Sequence, residues 1–183
     1  MAGAARDALP PPSHIWLFDK FGLKTVVNLR GANESGWYYL EREACEKRDI
    51  AFVDFPVKSR DVPAPETIHA AKALFDRIER PVLMHCKSGA DRAGLMGTLY
   101  LMLAEGLPVE RATRQLSLRF GHVRQSKTGL IDAFFEAYRR DNAADPVDFL
   151  TWVDTKYDPK KVKADFHAKG WANALVDKVL GRE

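Results

Sequence analysis

The residues of this chain best suited to catalysis are a cysteine and an arginine with five residues between them. Cys86 follows an apolar run that ends in His85, and Arg92 follows a short loop that contains Gly89. A thiolate is a strong nucleophile, and the planar guanidinium of arginine can hold two phosphoryl oxygens at once. Hydrolysis of a phosphate ester needs both a nucleophile and a site that stabilises charge on those oxygens. The pair therefore indicates phosphoryl chemistry, whereas the bland alternative is a buried packing cysteine with Arg92 on the surface.

The loop between the two residues is predicted to surround an anion. If Cys86 ends a strand and a helix begins near Asp91, the backbone N–H groups of the loop point at one centre, and the helix N-terminus reinforces them. Glycine permits the tight turn that a close approach to a ligand requires. We assign substrate binding to Lys87, Ser88, Gly89, Ala90 and Asp91.

The flanking sequence predicts the strands and helices that such a loop needs. β-Branched, alternating or short apolar runs predict strands, and apolar residues at helical spacing predict helices between them. The predicted strands are residues 25–29, 50–57 and 81–85, and the predicted helices are residues 34–48 and 65–80. This alternation is typical of an α/β fold with a central, largely parallel sheet flanked by helices, in which ligands bind beyond the carboxyl ends of the strands.

The second half of the chain is predicted to be helical. Residues 93–104 are apolar on nearly every side, which predicts a helix buried all round. Residues 109–120 and 130–139 have amphipathic spacing. We expect a catalytic domain of residues 1–144 and a helical C-terminal extension of residues 145–183 packed on it. Trp171, Leu175 and Val179 share a face of that extension, and we expect packing on the domain rather than membrane contact.

Composition sets limits on the class of protein. The 183 residues suffice for one domain, and 28 basic against 25 acidic residues give a net charge of only +3, too slight to indicate a nucleic-acid partner. The two cysteines, Cys45 and Cys86, form no disulfide framework, and no His/Cys cluster has metal-ligand spacing. The N-terminus lacks the pattern of a secretory signal, and no apolar run reaches the roughly 18 to 20 residues of a membrane helix. We expect a cytoplasmic protein without metal or cofactor. Its oligomeric state is not predicted.

The stretch HCKSGADRAG, residues 85–94, resembles the signature of the cysteine-dependent protein tyrosine and dual-specificity phosphatases. The segments GLKTVVNLR and RFGHVRQSKTGLIDAFFEAY are similar to small bacterial members of the dual-specificity branch, so the resemblance covers about residues 15–140. It implies that Cys86 is the nucleophile that forms a cysteinyl-phosphate and that Arg92 clamps the phosphate. It also implies that residues 87–91 supply the amide cradle and that His85 tunes the thiolate.

The resemblance implies a general acid, usually an aspartate on a loop before the cysteine. Asp61 lies in the segment FPVKSRDVPAPETI, which is similar to that loop, and we assign the role to Asp61. Asp54 is nearer the usual separation but lies within a predicted strand. Asp91 lies inside the phosphate loop itself, as in the myotubularin-like lipid phosphatases. All three stay open as alternatives.

One residue departs from the family pattern. Serine or threonine usually follows the arginine, where its hydroxyl assists loss of the thiolate from the phosphoenzyme, but this chain has Ala93. We expect slower breakdown of the intermediate. Basic residues that could ring the mouth of the site and favour a polyanion are Arg30, Arg60, Lys87, Arg119, His122, Arg124 and Lys127.

The predicted function is a phosphoric monoester hydrolase similar to protein tyrosine and dual-specificity phosphatases. Its substrate is a phosphorylated protein or a small phosphate ester, and phosphoinositides are included among the alternatives. A weakly active phosphate-binding module is a second possibility. A rhodanese-like sulfur carrier is a third, but the spacing to Arg92 and the flanking His85 and Gly94 favour the phosphatase.

Overall fold

The fold is a parallel sheet with helices on both faces. The computed structural model describes residues 4–7, 16–124 and 126–168, and within these ranges four parallel strands form one sheet. The strands are β1 (Ala4–Asp7), β2 (Thr25–Asn28), β3 (Ala51–Asp54) and β4 (Val82–His85), in the spatial order β1, β4, β2, β3. The predicted α/β class is confirmed.

The position of β4 follows from its sequence. Every residue of β2 and of β4 is buried, as expected for apolar strands covered on both faces. β4 pairs with β1 on one side and β2 on the other, so it is an interior strand. β3 pairs with β2 alone and exposes its two end residues. The sequence does not predict β1, because its AARD sequence carries no β-branched or aromatic residue, and only backbone pairing with β4 defines it.

Seven α-helices lie wholly within the described ranges, and residues 159–168 form an eighth helical segment at their end. The seven are α1 (Trp16–Phe21), α2 (Gly36–Glu46), α3 (Pro65–Arg77), α4 (Asp91–Leu103), α5 (Val109–Ala112), α6 (Leu130–Ala144) and α7 (Phe149–Thr155). Short 3-10 turns lie at Thr113–Gln115, Leu118–Phe120 and Lys127–Gly129. Among the described residues, none of the helices combines the length and the apolar character that crossing a lipid bilayer requires.

Side-chain alternation along the strands divides the core into two clusters. Val27 and Met84 belong to the larger cluster, which contains the buried faces of α3, α4, α6 and α7. Their neighbours Val26 and Leu83 belong to the smaller cluster, which α1 and α2 cover. Because successive side chains of a strand point to opposite faces, the two clusters lie on opposite faces of the sheet. Cys86 belongs to the larger cluster.

α4 lies against the sheet and is covered all round in its first half. Ala93 to Tyr100 are buried without interruption, as its apolar sequence predicts. Continuous burial fixes both the axis of α4 and the place where it begins. The chain therefore leaves β4 at His85 and must enter α4 at Asp91, and the loop between them has little freedom in where its ends lie.

The helix predicted over residues 109–120 is wrong beyond Ala112. The chain passes from α5 into 3-10 turns, and Leu116 and Ser117 have non-helical backbone angles. Leu118 is 76% exposed, so the amphipathic spacing that predicted a buried face is misleading here. The segment instead carries His122, which is buried, toward α4. Tertiary contacts override the local helical pattern.

α7 packs on α6 through aromatic rings. Phe134 and Tyr138 of α6 contact Phe149 and Trp152 of α7, with ring centroids 5.0 to 6.0 Å apart. Trp152 Nε1 also donates a hydrogen bond to Asp141 (3.0 Å). The division into residues 1–144 and 145–183 stays a prediction. The helical face of Trp171, Leu175 and Val179 lies outside the described residues.

We predict that Trp152→Ala destabilises the protein by about 3–5 kcal/mol, because it leaves a large cavity among the aromatic rings and removes the hydrogen bond to Asp141. Trp37→Ala is the matched control, since Trp37 is 53% exposed and its loss should change stability by about 0.5 kcal/mol or less. Urea unfolding at equilibrium measures both. Equal free energies of unfolding for the two variants would show that the extension contributes nothing to the fold.

Candidate active site

The phosphate loop predicted from the sequence lies at the carboxyl end of an interior strand. β4 ends at His85, and the next residue, Cys86, is only 2% exposed. Lys87 and Ser88 are exposed, and Gly89 has a φ of +70°, the left-handed conformation that glycine adopts without strain. The loop therefore reverses direction at Gly89 and leads into α4. The buried sulfur lies at its base.

The N-terminus of α4 closes the loop. Ala90 is the N-cap residue, and no side chain caps this end of the 13-residue helix. Helix N-termini carry partial positive charge and amide donors that favour an anion. Arg92 lies in the first turn and is partly buried. A thiol, a helix N-terminus and a guanidinium thus occur within seven consecutive residues, a set that suits a phosphoryl group.

A hydrogen-bonded brace joins the ends of β2 and β3 beside the loop. The buried amide of Asn28 donates to Gly31 O (2.9 Å) and to Asp54 Oδ1 (2.7 Å), and it accepts a hydrogen bond from the backbone N–H of Arg30 (3.0 Å). Tyr38 donates to the other oxygen of Asp54 (2.7 Å), and this hydrogen bond raises the pKa of Tyr38. Asp54 is therefore a bracing residue with both oxygens engaged.

His85 has an acidic neighbour that the sequence did not reveal. Its Nε2 atom lies 3.0 Å from Oε1 of Glu41, which projects from α2, and both side chains are buried. The contact has an ion-pair distance but not hydrogen-bond geometry, and neither atom has a hydrogen-bond partner in the part of the chain that the structure describes. Glu41 lies on the buried face of α2 with Tyr38, Ala44 and Cys45. Its helical spacing from these residues was the feature of the sequence that could have predicted a buried Glu41.

His122 lies between two aspartates. Its Nδ1 atom is 2.8 Å from Asp91 Oδ1, and its Nε2 atom is 2.6 Å from Asp132 Oδ2. The hydrogen bond with Asp132 is the main cause that raises the pKa of His122, the contact with Asp91 adds to it, and burial opposes both. His122 was predicted among the basic residues at the mouth of the site. That prediction is wrong, because the ring is buried and its nitrogens face carboxylates.

Asp61 lies on the segment between β3 and α3, and its charged partners are lysines. Lys163 Nζ approaches Asp61 Oδ1 at 2.6 Å, Lys58 Nζ lies 3.5 Å from Oδ2, and the backbone N–H of Val62 donates to Oδ1 (2.9 Å). Burial alone would raise the pKa of Asp61, but the hydrogen bond and charge of Lys163 outweigh it and hold that pKa below its ordinary value. Tyr157 donates to Pro63 O (2.8 Å) and anchors the same segment.

The comparison that decides the family is with a sequence profile. Residues 11–130 match the family described as "DSP-PTPase phosphatase fused to NAD+ Kinase", which is more than half of the chain and includes the loop. The chain belongs to this dual-specificity phosphatase family. The dual-specificity protein phosphatase TpbA of Pseudomonas aeruginosa strain UCBPP-PA14 is 27% identical over 112 residues, which are 61% of this chain and 48% of TpbA. The chain thus spans about half the length of this curated relative.

Solved structures show the same fold. The crystal structure of Pseudomonas aeruginosa TpbA superposes with a TM-score of 0.57 at 21% identity, covering 75% of this chain and 81% of that one. The crystal structure of PTPMT1 gives a TM-score of 0.56 at 18% identity, and the match covers 79% of this chain and 97% of PTPMT1. The crystal structure of human DUSP28 gives a TM-score of 0.55 at 15% identity, and the match covers 79% of this chain and 96% of DUSP28. The phosphatase-type sheet predicted from the sequence is confirmed.

Three of the basic residues that could surround the mouth of the site lie at the surface or in an ion pair. Arg119 and Lys127 are exposed, and Arg124 pairs with Glu136.

Within the described residues, no group of three or more His, Cys, Asp and Glu side chains is arranged to hold a metal ion. Cys45 belongs to the cluster on the opposite face of the sheet from Cys86, and burial raises its pKa to about 12, so it is a packing thiol.

Ala93 lies in the first turn of α4 and is fully buried. We predict that Ala93→Ser raises steady-state turnover by up to about tenfold, because a hydroxyl beside the arginine stabilises the departing thiolate with a charge-assisted hydrogen bond. Rapid-quench kinetics would show less phosphoenzyme at steady state. The pair Ala93→Thr and Ala93→Val separates the hydroxyl from the added bulk, since the two side chains have the same shape. Unchanged turnover and unchanged phosphoenzyme level in Ala93→Ser would contradict the prediction.

Proposed function

We propose that the protein hydrolyses phosphate monoesters through a cysteinyl-phosphate intermediate. The observation that carries the proposal is the continuity of an interior strand, Cys86, a loop reversed at Gly89, and a helix with Arg92 in its first turn. The thiolate attacks phosphorus, the ester P–O bond breaks, and the leaving oxygen takes a proton from a general acid. Water then attacks phosphorus and gives a proton to the same carboxylate. The S–P bond breaks, and inorganic phosphate and the thiolate are released.

Protein phosphotyrosine is the substrate class that we propose first. Pseudomonas aeruginosa TpbA, which has the same fold, has been crystallised with pTyr. A Cβ added at Gly121 would lie 3.6 Å from the Cβ of Ala90, so the segment that contains Gly121 passes close to the loop. That segment exposes Leu118 and Phe120, which are apolar side chains suited to a peptide. Phosphoinositides and other small phosphates are the alternative.

We propose Asp61 as the general acid because its side-chain partners differ from those of Asp54 and Asp91. Asp54 is fixed by Asn28 and Tyr38, and Asp91 is fixed by a buried imidazole. The charged partners of Asp61 are lysines with exposed surface: the side chain of Lys58 is 82% exposed and that of Lys163 is 39% exposed. Ion pairs of this kind contribute little and exchange readily with water. Asp61 can therefore leave its lysines and take up the proton that a general acid donates.

The proposed location is cytoplasmic. Cys45 and Cys86 are both free thiols, which is the state that a reducing compartment maintains.

The activity is tested with an aryl phosphate and the wild-type protein beside Cys86→Ser and Arg92→Lys. We expect hydrolysis that vanadate inhibits, loss of turnover in Cys86→Ser, and a decrease of at least about a hundredfold in Arg92→Lys, because lysine cannot hold two oxygens in one plane. Cys45→Ser is the matched control and should retain wild-type turnover. Hydrolysis that persists in Cys86→Ser would contradict the mechanism, and absence of any hydrolysis would leave a binding module. A phosphotyrosine peptide and a phosphoinositide measured in parallel rank the substrate classes.

The identity of the acid is predicted to appear in the pH profile. A general acid must be protonated, so kcat/KM falls as pH rises through its pKa. Lys163 lowers the pKa of Asp61, so Lys163→Met should raise that pKa and move the falling limb to higher pH. Asp61→Asn should lose most activity on substrates with poor leaving groups.

Lys160→Met is the control for the loss of a lysine from the same segment, since Lys160 is exposed. It should leave the pH profile unchanged. A falling limb that does not move in Lys163→Met, together with a greater loss in Asp91→Asn than in Asp61→Asn, would assign the acid to Asp91.

A further inference from the structure

His122 joins the first turns of two helices, one of which begins at the end of the phosphate loop. Asp91 is the first residue of α4 and Asp132 lies in the first turn of α6, and the ring of His122 bridges their carboxylates at 2.8 and 2.6 Å. The His122 side chain has no exposed surface, whereas those of Asp91 and Asp132 are 23% and 14% exposed. Two short contacts to a fully buried ring are an ordered arrangement and not a chance surface pairing.

When both aspartates are ionised, the two contacts require the charged form of the ring. A neutral imidazole carries one N–H, so it can donate to one carboxylate only, whereas an imidazolium donates from both nitrogens. The charged groups that face the ring are Asp91 from α4 and Asp132 from α6. Loss of the ring proton would leave one of these carboxylates without its donor.

The position of Asp91 gives the bridge a consequence for phosphate binding. Asp91 immediately precedes Arg92, and Ala90 on its other side lies against the segment of Gly121, which has a left-handed φ of +74°. A carboxylate in a loop that receives a phosphate dianion opposes binding by like-charge repulsion. The imidazolium offsets part of the negative charge of Asp91 and Asp132, and its contact with Asp132 holds the Asp91 side chain toward α6.

We propose that His122, held by Asp132, is a positioning residue that keeps the carboxylate of Asp91 paired and away from the bound phosphoryl group, so that oxyanion affinity depends on the protonated ring. The inference rests on the proposed function, because it takes residues 87–92 to be the phosphate site. It adds His122 and Asp132 to the residues that set the affinity of that site, although neither reacts with the substrate.

The test measures sulfate binding, because sulfate stays a dianion from about pH 5 to about pH 9 while phosphate and vanadate titrate. The Cys86→Ser protein removes ionisation of the nucleophile, and its sulfate affinity is measured by titration calorimetry across this range. Two further proteins add H122N or H122Q. The Asn amide takes approximately the place of Nδ1 and keeps a donor for Asp91, whereas the Gln amide takes approximately the place of Nε2 and keeps a donor for Asp132. Both side chains are neutral, and Asn is one methylene group smaller than Gln.

We expect sulfate affinity of Cys86→Ser to fall by about tenfold as pH rises through the pKa of His122, the size of effect that loss of a charged hydrogen bond produces. This pH-dependent fall in sulfate affinity should be absent from both double variants. H122Q should bind sulfate several-fold more weakly than H122N, because only the Asn amide keeps a donor for Asp91. The same pH dependence in all three proteins, or equal affinities in H122N and H122Q, would overturn the inference while leaving the phosphate site intact. Absence of sulfate binding to Cys86→Ser at every pH would instead overturn the proposed function.

Discussion

Burial of β4 and α4 in one core is the constraint on which the site depends. β4 is paired on both edges and covered on both faces, and α4 is buried continuously from Ala93 to Tyr100. Neither element can rotate or slide without exposing apolar side chains, and each buried Leu or Met side chain contributes about 1.5–3 kcal/mol. The ends of the loop are therefore fixed, and the sulfur of Cys86 and the first turn of α4 are brought together by packing.

Polar contacts between residues next to the loop further restrict the orientation of the elements at its two ends. Asn28 and Tyr38 brace the ends of the neighbouring strands through Asp54, Glu41 approaches His85 from α2, and His122 ties the start of α4 to α6. The hydrogen bonds of Asn28 and His122 involve buried groups, so breaking one of them leaves an unpaired polar atom out of water. The segment that carries Asp61 differs, because partly exposed lysines hold its carboxylate. This contrast is consistent with the proposed roles, in which the loop is held rigidly and Asp61 changes its protonation state.

The sequence predicted the elements whose evidence is local. Short apolar runs identified β2 and β4, apolar residues at helical spacing identified α3, and an apolar pattern on all sides identified the buried part of α4. The spacing from Cys86 to Arg92 identified the loop. Local pattern failed where a distant contact decides the structure. β1 forms only because β4 presents an edge to it, and residues 113–120 leave the helical path so that His122 reaches Asp91 and Asp132.

The same limit applies to individual residues of the site. Glu41, Asp132 and Lys163 were not singled out, because their partners lie far away in sequence and no short motif joins them. His122 was singled out for its type but assigned to the surface, since a basic residue in a basic segment is usually solvated. Only its burial between two carboxylates changes that assignment. The roles of Cys86 and Arg92 rest on the signature, and their positions agree with it.

Direct trapping of the phosphoenzyme tests the central claim. The wild-type protein is mixed with an excess of aryl phosphate, quenched in acid within milliseconds, digested, and analysed by mass spectrometry. The account predicts one added phosphoryl group on the peptide that contains Cys86, and none in Cys86→Ser. A phosphoryl group on any other residue, or turnover by the wild-type protein with no phosphorylated cysteine at any quench time, would contradict it.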